Sequence, residues 1–242
     1  MRILIISDIH ANLTALQTVL ADAGSIGATW CLGDLVGYGP DPEECVERVR
    51  AIPNFSCLVG NHDAAVLGQI DIASFNPEAR QAIQWTQRNL STASKDYLRS
   101  LPERLVLDSV TLAHGSPRHP IWEYLLDVRA ATQNFNYFDT PYCFVGHSHL
   151  PVIFQLNDGQ KYADLIVPEV GSKIEMAPRA ILNPGSVGQP RDRNPRAAYA
   201  IYNPEESTLE YRRVAYDISE VQARMQQAGL PARHIQRLTS GW

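Results

Sequence analysis

The sequence predicts an α/β protein whose first half forms a parallel sheet covered by helices. In this half, short apolar runs at residues 3–6, 29–32 and 55–59 alternate with stretches that carry a helical apolar pattern. Alternation of this kind is typical of parallel strands joined by crossover helices. Towards the C-terminal end, apolar runs follow one another through short turns, which indicates additional antiparallel strands.

Capping residues mark the helices that follow the first two strands. Asn12 directly precedes a helical apolar pattern, so we expect a helix over residues 12–23 that ends at Gly24. Asp41 and Pro42 predict the start of the next helix, because Asp suits the cap position and Pro suits the first turn.

The remaining elements are predicted from periodicity and turn residues. Residues 64–101 have a mostly helical pattern, and residues 104–113 fit two strands around a turn. The later predictions are a helix at 128–138, a strand at 142–145, a hairpin of 151–156 with 161–167, strands at 180–182, 197–202 and 208–214, and a helix at 217–228. We expect one domain over residues 1–242, with a C-terminal tail at 230–242.

Composition limits the classes of function. The 242 residues carry a formal net charge of −5, whereas proteins that coat nucleic acid are usually basic, so we expect no long nucleic acid as partner. No apolar stretch approaches the ~20 residues that a membrane span needs, so we expect no membrane partner. The four cysteines form no CxxC pair. This is typical of buried thiols in a reducing compartment and predicts a cytoplasmic protein, whose oligomeric state stays open.

Polar residues of metal-ligand type follow five of the apolar runs. If the sheets form as predicted, these residues lie along one rim at the carboxyl ends of the strands, where open α/β sheets bind ligands. In an extended chain Asp8 and His10 would point to the same side. Five of the seven histidines belong to the set, and we expect the other two, His119 and His234, to be structural. The set consists of Asp8, His10, Asp34, Asn61, His62, His114, His147 and His149.

This set predicts a site for two divalent cations. Imidazole, carboxylate and amide ligands suit Mn²⁺, Fe²⁺, Co²⁺, Ni²⁺ or Zn²⁺, and among these we expect Mn²⁺. The ligands are too many for one tetrahedral ion, but they are enough for two ions that share a bridging carboxylate. Two ions ~3.5–4 Å apart form the clamp used in phosphoester hydrolysis.

The order and spacing of these residues resemble the motifs of the calcineurin-like metallophosphoesterase superfamily. The motifs are Asp8-x-His10, Gly33-Asp34, Gly60-Asn61-His62-Asp63, His114-Gly115 and Gly146-His147-Ser148-His149. The resemblance implies a four-layer α/β/β/α sandwich with two mixed β-sheets. It also implies one ion bound by Asp8, His10, Asp34 and His149, and a second ion bound by Asp34, Asn61, His114 and His147.

Catalytic roles also follow from the resemblance. Asp34 would bridge the two ions, and a hydroxide between them would be the nucleophile. His62 would face the substrate and either protonate the leaving oxygen or stabilise its developing charge. Gly37 and Tyr38 stand where the phosphoprotein phosphatases of the superfamily have an acid and an arginine, which argues against protein phosphatase activity.

Two loops, residues 114–118 and 183–192, resemble the small prokaryotic branch of the family. Members of that branch act as phosphodiesterases or as hydrolases of nucleotides such as diadenosine polyphosphates. The resemblance therefore implies a small phosphoester or nucleotide substrate. The expected phosphate contacts are Arg118 and Arg191, and the expected stacking walls are Tyr38, Trp122 and Tyr124.

Two other functions stay open on the sequence. A broad phosphomonoesterase could use the same residues, and an enclosed pocket would favour it, whereas an open cleft with aromatic walls would favour diesters or dinucleotides. A scaffold of this fold that has lost catalysis, as in the retromer subunit, would bind protein partners. The complete ligand set and His62 argue against the scaffold.

Overall fold

The structure, a computed structural model, describes residues 1–242 and contains two mixed sheets of six strands each. The strands are β1 (Ile3–Ile6), β2 (Ala28–Cys31), β3 (Phe55–Cys57), β4 (Arg104–Leu107), β5 (Val110–Ala113), β6 (Tyr142–Phe144), β7 (Pro151–Gln155), β8 (Asp164–Ile166), β9 (Lys173–Glu175), β10 (Ala180–Pro184), β11 (Ala197–Asn203) and β12 (Thr208–Val214). The helices are α1 (Leu13–Ala23), α2 (Pro42–Arg50), α3 (Asn61–Val66), α4 (Pro77–Asn89), α5 (Thr92–Arg99), α6 (Val128–Asn134), α7 (Ile218–Gln227) and α8 (Ala232–Ser240).

Each sheet combines three parallel strands with antiparallel ones, and the parallel strands lie at one edge of the first sheet and in the centre of the second. The first sheet has the order β3-β2-β1-β11-β12-β9, and its β1, β2 and β3 are parallel as the alternating pattern predicted. The second sheet has the order β4-β5-β6-β10-β7-β8, in which β5, β6 and β10 are parallel. The predicted hairpin of β7 and β8 is antiparallel and lies at the edge of this sheet.

The apolar run of β1 is buried on both of its faces. Ile3 and Ile5 belong to the core between the two sheets, together with side chains such as Phe144 of the second sheet. Leu4 and Ile6 belong to a second core beneath the helices that cover the first sheet. Helix α6 covers the outer face of the second sheet. The four layers expected from the family resemblance are therefore present.

Most predicted elements agree with the structure. The side chain of Asn12 accepts a hydrogen bond from the backbone N–H of Ala15 at 3.1 Å, so it caps α1 as predicted. The four cysteines are free and buried. None of the eight helices combines the length and the apolar character that a lipid bilayer would require.

Two elements differ from the sequence prediction. The short strand β9 pairs with β12, although its residues carried no strand signal. The expected C-terminal tail contains helix α8, in which Ile235 and Leu238 pack into the core of the first sheet. Their burial fixes this helix against the end of the sheet where the polar strand ends gather.

Candidate metal centre

The eight polar residues of the predicted rim lie together, each a few residues after the end of a strand. They follow β1, β2, β3, β5 and β6, whose carboxyl ends meet between the two sheets. None of their side chains is more than 3% exposed. Buried carboxylates and imidazoles require compensating partners, because an unpaired polar group inside a protein is costly.

Left-handed backbone turns aim several of these side chains into the site. The φ angles are positive at Asp8 (54°), His10 (48°), Asp34 (53°), His147 (64°) and His149 (61°). Non-glycine residues adopt this conformation rarely, at a cost on the order of 1–3 kcal/mol each, and they concentrate at functional sites. Asp8 and His10 do lie close together, but not because they share one side of an extended strand, as the sequence predicted. Strand β1 ends at Ile6, and both residues lie in the turn that follows.

The first ligand group consists of Asp8, His10 and His149. Nε2 of His149 lies 3.2 Å from Oδ1 of Asp8, and Nε2 of His10 lies 3.8 Å from the same oxygen. The two imidazole Nε2 atoms are 3.1 Å apart. The atoms of this group lie within 4.8 Å of one another, which is compatible with one shared cation.

Hydrogen bonds at the far side of each ring fix the tautomers of this group. Nδ1 of His10 donates to the carbonyl of Val36 at 3.2 Å, and Nδ1 of His149 donates to the carbonyl of Gln189 at 2.6 Å. A carbonyl can only accept, so each Nε2 carries a lone pair. Two lone pairs that face each other repel, and Oδ1 of Asp8 has no hydrogen-bond partner. A cation satisfies all three atoms, so these residues fit a divalent metal ion.

The second ligand group contains Asp34, Asn61, His114 and His147. Nε2 of His114 lies 3.5 Å from Oδ2 of Asp34 and 3.0 Å from Oδ1 of Asn61. Nδ1 of His114 donates to the carbonyl of Leu32 at 2.8 Å, so its Nε2 also faces two oxygens with a lone pair. In His147 the ring nitrogen that contacts a backbone carbonyl is Nε2 and not Nδ1. It lies 3.1 Å from the carbonyl of Trp122.

Asp34 borders both groups. Its Oδ2 lies 3.6 Å from Nε2 of His10 and 3.5 Å from Nε2 of His114, while its Oδ1 accepts the backbone N–H of His62 at 2.9 Å. Burial raises the pKa of this carboxyl well above its usual range, and the carboxylates of Asp63 and Asp8 raise it further. A pair of cations beside Asp34 would favour its ionised form.

His62 lies against the same cluster but is held by aromatic packing. Its ring centroid is 4.3 Å from that of Tyr38 and 5.1 Å from that of Phe75. Its Nδ1 is buried and has no hydrogen-bond partner. Burial holds the pKa of His62 well below its usual value, and Arg191 lowers it further, so the ring is neutral at pH 7.

Gly37 explains how His62 is positioned without an orienting acid. A Cβ atom at residue 37 would lie 2.6 Å from Nδ1 of His62, and the φ angle of +93° also favours glycine. The imidazole therefore occupies the space that a side chain at this position would fill. The ring is held by packing against Tyr38 and Phe75.

Asp63 connects the loop after β2 to helix α3. Its carboxylate accepts the backbone N–H groups of Gly60 at 2.9 Å, Val36 at 3.1 Å and Leu35 at 3.3 Å. Burial raises the pKa of Asp63 to about 6, and the hydrogen bonds from these amides oppose the rise. This carboxylate fixes the segments that carry Asp34 and Asn61 relative to each other.

The structure brings Arg191, Tyr38 and Tyr124 to the metal centre. Arg191 lies with its Nη2 3.5 Å from the Tyr38 hydroxyl. The ring of Tyr124 stacks on His147 at 3.7 Å between centroids, and Trp122 lies 6.1 Å from the same histidine. Tyr124 and Trp122 are partly exposed, so they line the side of the site that faces solvent.

Arg118, the other expected phosphate contact, is engaged in its own loop. Its guanidinium forms an ion pair with Glu123 and donates to the side chain of Gln133 at 3.1 Å. The structure therefore pairs it with a carboxylate and not with any of the predicted ligands. Its role in phosphate binding stays a prediction.

Sequence reasoning did not place four residues at this site. Phe75 packs between His62 and Trp122, and Gln189 supports His149 through its carbonyl. Arg237 and His234 reach the site from α8. His234, which was expected to be structural, is buried, and neither of its ring nitrogens has a partner that meets hydrogen-bond geometry. The pattern of residues 234, 235 and 238 on one helical face was the available signal.

Comparisons with known proteins identify the family. The profile of the calcineurin-like phosphoesterase superfamily domain matches residues 1–207. An uncharacterized protein of Methanocaldococcus jannaschii is 39% identical over 99% of this chain and 98% of its own length. A metallophosphoesterase from Sphaerobacter thermophilus has 49% sequence identity and a TM-score of 0.92, covering 100% of this chain and 99% of its own.

The same fold is found in a more distant structure. A hypothetical protein from Pyrococcus horikoshii is 20% identical, with a TM-score of 0.81, covering 100% of this chain and 98% of its own.

The profile match covers most of the sequence and includes every residue of the two ligand groups. The chain belongs to the calcineurin-like phosphoesterase superfamily.

Proposed function

We propose that the protein hydrolyses phosphodiester bonds or nucleotide phosphoanhydride bonds of a small substrate, using two divalent metal ions. Family membership makes it a phosphoester hydrolase of the metallophosphoesterase type. The observation that carries the proposal is the position of Asp34. Its Oδ2 faces His10 of the group Asp8-His10-His149 on one side and His114 of the group Asp34-His114-His147 on the other. We expect Mn²⁺ as the metal, with Fe, Zn, Ni or Co as the other candidates.

The ligands proposed for one ion are Asp8, His10, Asp34 and His149, and those for the other are Asp34, Asn61, His114 and His147. When bound, the two ions supply Lewis-acid polarisation of a phosphoryl oxygen and a water molecule whose pKa is lowered towards neutrality. The protein contributes the fixed orientation of each ligand, through carbonyls such as those of Val36 and Leu32.

His62 acts on the leaving group in this proposal. Its imidazole is neutral, buried and held between Tyr38 and Phe75, with Nδ1 free of protein partners. A neutral ring offers an N–H to the oxygen on which negative charge develops, so it stabilises that charge and can transfer a proton. Arg191 adds positive charge next to this ring.

Aromatic walls support a substrate with a group on each side of the phosphorus. Tyr124 is 43% exposed and Trp122 is 38% exposed, and both adjoin His147. Partly exposed rings next to a buried metal centre suit stacking with a planar group of the substrate such as a base. This favours a diester or dinucleotide.

A broad phosphomonoesterase is the second candidate, favoured by a different observation. The ligand atoms are enclosed, and Tyr38 and Phe75 cover His62 from above with less than a tenth of each side chain exposed. An enclosed centre admits a terminal phosphate more easily than an internal one. A scaffold without catalysis would have no need of the complete ligand set.

Hydrolysis of two chromogenic esters tests the proposal. Metal-stripped protein is supplied with Mn²⁺ and assayed on bis(p-nitrophenyl) phosphate and on p-nitrophenyl phosphate. A preference for the diester supports the proposal and leads to dinucleotides as the next substrates. A preference for the monoester supports the phosphatase. Absence of turnover on both esters and on a dinucleotide panel, with metal shown to bind, would support the scaffold.

We also propose that the protein acts in the cytoplasm on a small phosphoester or nucleotide. The formal net charge of −5 is unfavourable for coating long nucleic acid. Fractionation of the cells that express the protein, with the activity followed in each fraction, tests the location.

A further inference from the structure

Helix α8 contributes a buried histidine to the edge of the metal centre. His234 is 2% exposed, and its ring centroid lies 4.4 Å from that of Tyr38. On its other side Tyr38 lies 4.3 Å from His62. A single aromatic ring therefore separates a side chain of α8 from the histidine proposed to act on the leaving group. The helix lies outside the residues 1–207 that the family profile matches.

The same helix places a second guanidinium beside Arg191. Nη2 of Arg191 donates to Oε1 of Gln189 at 3.2 Å, and Nη1 of Arg237 donates to the same oxygen at 3.3 Å. Neither arginine forms an ion pair, whereas Arg118 pairs with Glu123 and Arg213 pairs with Asp192. Two positive groups therefore share one neutral oxygen and have no carboxylate within ion-pair distance, which is unfavourable in a buried place.

Nitrogen atoms without acceptors accumulate in this cluster. The carbonyl of Glu78 lies near the His234 ring without meeting hydrogen-bond geometry. A neutral histidine ring has one donor and one acceptor nitrogen, whereas Nε of arginine and Nε2 of glutamine can only donate. Because nearly all buried polar groups are hydrogen-bonded, the unsatisfied donors in this cluster indicate an absent acceptor. The unpartnered atoms are Nε of Arg191, Nε of Arg237, Nε2 of Gln189, Nδ1 of His62 and both ring nitrogens of His234.

We propose that Arg191, Arg237 and His234 form a subsite for a second phosphate group of the substrate, next to the phosphate that is hydrolysed. A phosphate oxygen is a charged acceptor, and guanidinium groups bind it with strong directional hydrogen bonds. The inference rests on the proposed function and narrows it. It selects substrates with two linked phosphates, such as a nucleoside diphosphate or polyphosphate, over a diester with a single phosphate.

Gln189 connects this subsite to the metal centre. Its main-chain carbonyl accepts from Nδ1 of His149 at 2.6 Å, while its side-chain oxygen accepts from both arginines. One residue therefore contacts a proposed metal ligand and the two guanidinium groups. This places the subsite within the reach of a substrate whose reacting phosphate lies at the metal centre.

Calorimetric titration of the metal-stripped protein with inorganic pyrophosphate and with inorganic phosphate tests the subsite. We expect pyrophosphate to bind more tightly than phosphate, and Arg237→Gln to weaken pyrophosphate binding about 10- to 100-fold. Arg233→Gln is the matched control, because it removes the same charge from an exposed position of the same helix. We expect this control to change binding less than about twofold.

Two results would overturn the subsite. One is equal loss of pyrophosphate affinity in the Arg237 and Arg233 variants, and the other is wild-type binding of pyrophosphate no tighter than of phosphate. If Arg237→Gln does not fold, His234→Phe keeps the ring that packs on Tyr38 and removes its nitrogens, and we expect it to weaken pyrophosphate binding as well. Unchanged binding in His234→Phe would remove His234 from the subsite.

Turnover separates this inference from the proposed function. The Mn²⁺-loaded protein is assayed on adenosine diphosphate and on bis(p-nitrophenyl) phosphate. Pyrophosphate binding that depends on Arg237, without hydrolysis of any phosphoester, would contradict the proposed function alone. If the protein hydrolyses both substrates and Arg237→Gln lowers kcat/KM equally for the two, the subsite alone would be contradicted.

Discussion

Gly60 lies where any side chain would collide with Asp34. A Cβ atom at this position would be 2.0 Å from Oδ1 of Asp34 and 2.3 Å from its backbone nitrogen. The φ angle of Gly60 is −96°, a value that alanine adopts freely. The substitution Gly60→Ala therefore tests steric contact alone, without backbone strain.

The size of the effect follows from the required displacement. Non-bonded atoms are optimally separated by ~3.5–4.0 Å, so Asp34 and residue 60 must move apart by roughly 1 Å or more. A misplacement of about 1 Å can lower turnover about 10²-fold, equivalent to about 2.7 kcal/mol in the activation barrier. Overpacking should also lower the free energy of unfolding by about 1–3 kcal/mol. Asp34 is the proposed bridge, so metal binding should weaken as well.

Three measurements on one protein preparation test this prediction. They are the metal content after dialysis against Mn²⁺, the turnover of bis(p-nitrophenyl) phosphate or the ester that the wild type prefers, and the thermal midpoint. Gly27→Ala is the control, since the nearest atoms to its Cβ belong to the side chain of Met1, which is exposed and can move. A Gly60→Ala protein with full metal content and wild-type turnover would refute the idea that close backbone approach positions the bridge.

Three further predictions concern the site and its loop. Asp34→Asn should abolish turnover and lower metal content, because it removes the shared charge; retained turnover would refute the two-metal assignment. His62→Ala should keep its metal and lose roughly 10²–10⁴-fold in kcat; loss of metal would make His62 a ligand. Burial opposes ionisation of Glu123, but its hydrogen bonds, first that from Arg118, outweigh it and lower the pKa to about 2. The stability that this ionised carboxylate contributes is complete above pH ~4.5 and disappears as the pH falls towards 2. Glu123→Gln should therefore lower the free energy of unfolding by about 1–3 kcal/mol at pH 7 and by much less at pH 2. Equilibrium unfolding at both pH values measures this difference.

The ligand groups could be predicted from sequence because each polar residue comes shortly after an apolar run that forms a strand. An all-apolar run such as Ile3–Ile6 has no surface role, so its end marks the edge of a sheet. The parallel arrangement then places Asp8, Asp34 and Asn61 at the same edge. The left-handed turns that aim these residues could not be foreseen, because aspartate and histidine do not encode that conformation as glycine does.

The two predicted phosphate contacts could not be distinguished by sequence. Arg118 and Arg191 both follow loops near metal-ligand motifs, and both are long cationic side chains. Glu123 lies five positions after Arg118, and only the fold of that loop brings the two charges into an ion pair. Arg191 is followed directly by Asp192, but that carboxylate pairs with Arg213, and Arg191 stays beside Tyr38. The difference depends on tertiary contacts, and no local pattern records it.

The contribution of α8 was hidden for a related reason. His234 and Arg237 are polar, so their presence made residues 230–242 resemble a solvated tail. Ile235 and Leu238 pack into the core, and this packing turns the face that includes His234 towards Tyr38. A histidine and an arginine on the buried side of a helix lower stability unless something compensates their polar atoms. This unfavourable placement supports the proposed phosphate subsite, because a bound anion would satisfy these atoms. Arg237→Gln should therefore weaken pyrophosphate binding clearly and change the thermal midpoint little.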